Sequence, residues 1–299
     1  MKQVLRYWNK PQHAAYLFLL PALLCILLFH LLPMVASFFI SMFNITTALT
    51  KPTYLGLNNY VMALRDIRFQ NAMKNTLLFT AVDVPLQVAF ALLVAALLCA
   101  KTRLNKWMRS VYFLPIICSP VAIGIMFQIF LHPTVGWFPH ILTLIGLPKI
   151  GFFKDPSIAL YSVVFVSVWR SFGISMTILV ASMQSIPETR YEAAEIDGAS
   201  RVQQFFNVTI PGIHSMIWFI IITRTIGSLQ VFDLVYTITG GGPAYATETL
   251  VSYVYTRAFE QNTQLGYATA MAEWLFLVIL IITLVLYTKM NKQERGLES

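Results

Sequence analysis

Five ionisable residues stand inside or beside apolar runs of this 299-residue chain: Asp83, Arg170, Arg224, Asp233 and Glu273. A charge at membrane depth costs at least about 2.5–3.5 kcal/mol, so each needs a partner or a wet cavity. Arg170 falls near the middle of the apolar run 158–183, and Arg224 lies about 20 Å of helix rise past Pro211. Guanidinium groups keep their charge and offer a planar fork that suits hydroxyl pairs or carboxylates. Asp233 is about 13 Å of rise beyond Arg224, too far for a direct pair along one helix. Each arginine must therefore find its counter-charge on another helix or face water. The chemistry on offer is capture of a polar solute, or a lock on the bundle through Asp83, Asp233 or Glu273. Bond-breaking chemistry is absent: no nucleophile–base pair, H-E-x-x-H motif or Walker A pattern occurs. Cys25, Cys99 and Cys118 lie in apolar segments and are odd in number, which argues against a disulfide framework or a metal site. His13, His30, His132, His140 and His214 show no paired ligand spacing.

These side chains must be carried by membrane helices. The chain is 57% hydrophobic and 11% charged, where soluble domains carry about 25% charged residues. Apolar runs near 14–43, 76–99, 111–131, 158–183, 212–235 and 268–287 are each long enough for the roughly 20 residues that a spanning helix needs. The first resembles a signal peptide behind Lys2, Arg6 and Lys10. It is interrupted by Pro21 and His30, however, and lacks a small-residue cleavage site, so it reads as a retained span. Six spans put both termini on one side. The net charge of +8 is spread over short loops and forms no basic face for a nucleic acid. The termini, the 100–110 loop and the 184–211 loop hold most of the Lys and Arg, which makes that side cytoplasmic. The first outer loop, with Lys51, Arg65, Arg68 and Lys74, fits the rule poorly.

The stretch 185–211 has its own punctuation. Ser185-Ile186-Pro187-Glu188 predicts a capped helix start, with Glu188 closing a capping box. Gly198 predicts the stop, Ser200-Arg201-Val202-Gln203 a second short helix with a capping box, and Pro211 the opening of the next span. Two small helices at an angle result, with Ala193, Ala194, Gly198 and Ala199 small enough for another backbone to approach. Outside the fifth span, Thr239-Gly240-Gly241-Gly242-Pro243 forces a sharp non-helical turn. Thr247 is placed to cap the amphipathic helix that follows, whose apolar face holds Leu250, Tyr253, Val254 and Phe259.

Glu192-Ala193-Ala194, Gly198 and Val208-Thr209-Ile210-Pro211 stand at the spacing of the EAA motif of ABC-importer permeases, which this stretch resembles. Val208 and Ile210 replace the usual isoleucine and leucine conservatively. The Thr-Gly-Gly-Gly-Pro turn, with Gly240, Gly241, Gly242 and Pro243, resembles that of carbohydrate permeases of the maltose and glycerol-3-phosphate type. Gly56-Leu57-Asn58-Asn59-Tyr60 resembles the entry segment of the same superfamily. The resemblance covers residues 14 to 290. It implies an all-α transmembrane fold, the six-helix type I (MetI-like) permease bundle. The expected organisation is a cytoplasmic N-terminus 1–13, a permease domain 14–290, coupling helices 185–207 and a cytoplasmic tail 291–299.

The resemblance also implies the role. The chain would be one of two permease subunits of a binding-protein-dependent importer in a bacterial cytoplasmic membrane, a transport subunit and not an enzyme. It would carry a carbohydrate, an acidic oligosaccharide included, by ATP-driven alternating access. Its partners would be a homologous second permease subunit in a heterodimer, two ATPase subunits that bind ATP and Mg, and an extracellular solute-binding protein. No cofactor is expected in this chain. Tyr191, Glu192, Ala193, Ala194, Asp197, Gly198 and Ala199 would couple to the ATPase. Ser167, Trp169, Arg170, Ser171, Ile174, Arg224, Gly227 and Ser228 would line the substrate pathway, with Gln230 a neighbour. A glycerol phosphate or related anionic solute is the alternative cargo. An ion-coupled secondary transporter is more distant, since no internal repeat is visible.

Overall fold

The computed structural model describes residues 11–46, 51–260 and 263–298, so residues 1–10 of the expected N-terminal segment lie outside the described residues. Two compact units form, Met1–Arg65 with Val254–Trp274 and Asp66–Tyr253 with Leu275–Ser299. In chain order the helices are α1 (Pro11–Ile26), α2 (Leu32–Ile40), α3 (Asn58–Arg65), α4 (Ile67–Leu98), α5 (Arg103–Ile117), α6 (Pro120–Phe130), α7 (Trp137–Leu144) and α8 (Ala159–Gln184). Then follow α9 (Glu188–Ile196), α10 (Arg201–Gln204), α11 (Ile210–Gly212), α12 (His214–Leu229), α13 (Asp233–Ile238), α14 (Leu250–Tyr255) and α15 (Leu265–Glu298). Phe18–Ile40, Ile67–Leu98, Ala159–Gln184 and Leu265–Gln293 are each long and apolar enough to cross a membrane. Six spans result when each of two bent helix pairs counts as one.

The bends depart from the expected straight runs. The run 111–131 breaks at Cys118–Ser119, and α5 meets α6 at 97°. Pro120 opens α6 and disfavours helical backbone in the residue before it. The run 212–235 breaks twice. Arg201–Gly212 meets His214–Leu229 at 69°, and α12 ends at Leu229 before α13 starts at Asp233. The second helix of the 185–211 stretch is thus longer than expected, running from Arg201 through a π-helical turn at Phe205–Thr209 to Gly212. The expected start at residue 76 moves to Ile67, because the Asp66 carboxylate caps α4 by accepting the N–H groups of Arg68 and Phe69.

In the first unit, β1 (Phe43–Asn44) pairs antiparallel with β2 (Thr53–Tyr54). Asn59 donates to the Ser41 and Phe43 carbonyls at 2.8 and 3.1 Å, and Trp274 packs edge-on against Tyr60. The intramembrane acid of this unit, Glu273, accepts a 2.7 Å hydrogen bond from Ser37.

The second unit holds two apolar layers. In one, Val84, Val88 and Ala91 of α4 pack with Phe172, Met176 and Leu179 of α8 and Ile213 and Ile220 beside and on α12. In the other, Phe79 of α4 packs with Val163 and Val166 of α8, Phe127 of α6 and Leu234 of α13. Helices α5 and α8 touch through Gly173, where an added Cβ would collide with the Tyr112 carbonyl. A backbone oxygen inside a helix cannot swing away, so Gly173→Ala is expected to cost about 2–3 kcal/mol. A lower thermal midpoint of the purified protein, with reduced yield, is the readout.

Candidate functional site

The polar side chains fall in the gap between the two apolar layers. Along α4 the sequence passes from Phe79 through Asp83 and Gln87 to Ala91, along α8 from Val166 through Ser167, Arg170 and Ser171 to Phe172, and along α12 from Ile220 through Arg224, Gly227 and Ser228 to Val231 just past its end. These groups line one cavity of about 190 Å³, together with Gln230 and Asp233 at the break after α12. Six of the eight expected pathway residues meet here: Ser167, Arg170, Ser171, Arg224, Gly227 and Ser228. Trp169 instead faces an apolar pocket, edge-on to Phe127 at 5.2 Å. Ile174 is half-buried and lines none of this cavity.

Arg224 donates through Nε to Ser175 Oγ and through an Nη to the Ser171 carbonyl, both at 3.2 Å. Asp83, beside the hydroxyls of Ser167 and Ser228, is the acid whose charge acts on Arg224, and Asp233 acts on Arg170, in both cases across more than ion-pair distance. The counter-charges therefore come from other helices, and the cavity lining carries two cations and two anions. Gln87, fully buried on α4, is a lining residue that sequence reasoning missed, because a neutral amide in an apolar run carries no charge signal.

The second candidate region is the elbow between α8 and α12. Pro187 occupies the N-cap of α9, and Ser185 folds back onto the Ser182 carbonyl at 2.7 Å, so the expected Ser185–Glu188 capping box is absent. Gly198 stops the helix with φ +79°, and Ala199 N–H closes onto the Ala194 carbonyl at 2.9 Å. Ser200 and Gln203 form the expected capping box. Tyr191 and Thr209 share a 3.0 Å hydroxyl–hydroxyl bond that ties α9 to the segment leading into α12. Glu192, Ala193, Asp197 and Gly198 are exposed, while Tyr191, Ala194 and Ala199 are half-buried. Ile196, 87% exposed on the same helix, is an apolar surface residue that composition gave no reason to single out. A β-branched residue at φ +79° is strained by about 1–2 kcal/mol. Gly198→Val is thus expected to lower stability by about 1–2 kcal/mol, read as a drop in the thermal midpoint of the purified protein.

The glycine-rich turn is held from below. Gly240 and Gly241 take φ +59° and +86°, Gly242–Pro243 is a cis peptide, and Ala244 and Tyr245 are also left-handed. Thr247 donates to the Gly242 carbonyl at 2.7 Å and does not cap α14. That role falls to Thr76, whose Oγ1 accepts the Leu250 N–H at 2.8 Å. Of the expected apolar face of α14, Leu250 and Tyr253 are fully buried and Val254 is partly buried, whereas Phe259 lies beyond the helix and is 66% exposed. Arg68 makes a bidentate pair with Glu248 at 2.7 Å and lies over the Tyr245 and Tyr253 rings.

Within the second unit, helices α4, α8 and α12 enclose a polar cavity between apolar layers. The chain belongs to the family of inner membrane components of binding-protein-dependent transport systems, whose pattern it matches over residues 87–293. It is 37% identical over 297 residues to the probable ABC transporter permease protein YurN of Bacillus subtilis, covering 96% of this chain and 99% of that protein. It is 34% identical over 273 residues to the lactose transport system permease protein LacF of Rhizobium radiobacter, covering 90% of this chain and 91% of that protein. Its fold matches a chain of a bacterial ABC transporter involved in the import of the acidic polysaccharide alginate, with TM-score 0.81 at 24% identity over 96% of this chain and 99% of that one.

Proposed function

We propose that this chain is a permease subunit of an ABC importer that takes up a carbohydrate, and that the cavity between α4, α8 and α12 is where the cargo crosses. The observation that supports this reading is the clustering of hydroxyl, amide, carboxylate and guanidinium groups in one gap between apolar layers. Sugar rings need such directional polar contacts inside an otherwise apolar wall. The lactose permease likeness points to the same cargo class.

In this reading the chain pairs with a homologous permease subunit, and two ATPase subunits dock on the 188–212 elbow from the cytoplasm, where both termini also lie. An extracellular solute-binding protein delivers the sugar from the other side. ATP and Mg stay on the ATPase subunits, and Glu192 and its neighbours transmit force without doing chemistry. Closure of the ATPases moves the elbow, tilts α8 and α12 and opens the cavity outward. The bends at Cys118–Ser119 and Ile213 are the natural places for such tilts, since each already interrupts a helix. The test is uptake of labelled lactose, maltose and trehalose into proteoliposomes holding the assembled importer. Uptake is expected only with ATP inside and the binding protein outside. Uptake driven by an ion gradient without ATP would overturn the reading in favour of a secondary transporter.

A further inference from the structure

Four buried polar atoms among the described residues make no hydrogen bond of normal geometry and belong to residues of this one cavity: Asp83 Oδ1, Gln87 Nε2, Ser228 Oγ and Arg170 Nε, the Ser228 hydroxyl lying beside the Asp83 carboxylate without closing a bond. Asp83, Gln87 and Ser228 are 3%, 1% and 6% exposed, so bulk water does not serve them. Native proteins rarely leave such atoms unserved, and each one asks for an explanation. Asp83 and Gln87 sit four residues apart, on one face of α4, the helix that contributed no residue to the expected pathway.

We infer that Asp83 and Gln87 are specificity-determining residues of the transport site, and that the ring they read is a neutral, hydroxyl-bearing one. The inference rests on the importer reading above and adds the third wall and the charge of the cargo. The four free atoms differ in what they need. A carboxylate oxygen only accepts, Nε–H and amide N–H groups only donate, and a serine hydroxyl does either. A ligand that serves all of them must donate and accept within one small volume, as the vicinal hydroxyls of a sugar do. A carboxylate or phosphate only accepts and would meet Asp83 and Asp233 across the same space. Nor is there a net positive field to draw it in, because Arg224 and Arg170 already face Asp83 and Asp233. The cavity of about 190 Å³ is large enough to hold several waters in place of a ligand group. The scale suits one ring held closely by its hydroxyls.

The experiment compares the importer carrying Gln87→Leu with the unmodified one, in the assembled complex, for uptake of lactose, maltose, trehalose and an acidic disaccharide containing a uronic acid. Gln87→Asn is the second variant should Gln87→Leu fail to assemble, with co-purification of the partner subunits as the assembly readout. The unmodified importer is expected to prefer a neutral sugar, and either variant to change the ratio of uptake between two neutral sugars by about fivefold or more. A merely structural role would lower all sugars in proportion, so a proportional loss, or no change, overturns the assignment of these residues. Preference for the acidic disaccharide overturns the charge inference while leaving the importer reading intact. Absence of ATP-dependent uptake of every sugar by the unmodified complex overturns the importer reading itself, and this inference with it.

Discussion

Replacing Glu248 with alanine is expected to lower permease stability by about 3 kcal/mol, read as a drop in the thermal midpoint of the purified protein. Glu248 is 2% exposed, and both its carboxylate oxygens are held at 2.7 Å by Arg68. Removing one partner of a buried ion pair costs about 3–5 kcal/mol, because the other charge is left without compensation. The lower end applies here, since the Arg68 side chain remains 23% exposed and can reach water. Glu248→Gln keeps the volume and one acceptor, so it should lose about half as much.

The local consequence is larger than the global one. Asn75 donates to the Tyr245 and Glu248 carbonyls at 3.0 and 3.1 Å, so the backbone of the turn is tied to α4 beside the ion pair. With Glu248 truncated, the glycine-rich turn loses its tie to Arg68 and keeps the hydrogen bonds from Asn71, Asn75 and Thr247. Faster proteolysis within residues 239–248 should therefore accompany the stability loss. An unchanged midpoint together with an unchanged cleavage rate would show that the turn is held by its own backbone and not by the ion pair.

What sequence reading captured and what it missed divide by range. The Gly198 stop and the Ser200–Gln203 box were legible because each is closed within five residues by the chain's own atoms. Ser185 failed as a cap for an equally local reason: its backbone is still helical at φ −85°, ψ −12°, and its hydroxyl bonds backwards. The breaks at Cys118–Ser119 and after Leu229 were hidden because hydropathy runs on through a bend. Pro115 and Pro120 hinted at the first, and no proline marks the second. Thr76 as the cap of α14 joins residues 174 apart in sequence, and no spacing rule reaches that far. The charged members of the cavity were visible as misfits in apolar runs. Their pairing was not, because whether Arg224 meets Asp83 or a substrate anion depends on how α4 and α12 pack.

That pairing gives the largest effect on transport. Arg224→Gln leaves the Asp83 carboxylate, 3% exposed, without the cation that acts on it. Asp83→Asn leaves Arg224 with its hydrogen bonds to Ser175 and the Ser171 carbonyl. The two charges act across more than ion-pair distance, so each single change should raise the free energy of the transport-competent state by about 1 kcal/mol. By the usual conversion of about 1.4 kcal/mol per tenfold, that is roughly a fivefold loss of uptake rate. The two changes together remove both charges, so Arg224→Gln/Asp83→Asn should regain much of the loss, with a coupling energy of about 0.5–1 kcal/mol. The anion-binding alternative predicts a different square. If Arg224 existed to hold a carboxylate or phosphate of the cargo, Asp83→Asn would remove a repulsion and leave uptake equal or higher. The double variant would then be as impaired as Arg224→Gln. Initial uptake rates of the four proteins at saturating sugar, with subunit assembly checked for each, separate the two. A double variant no better than Arg224→Gln would return the arginine to the substrate and reopen the case for an acidic cargo.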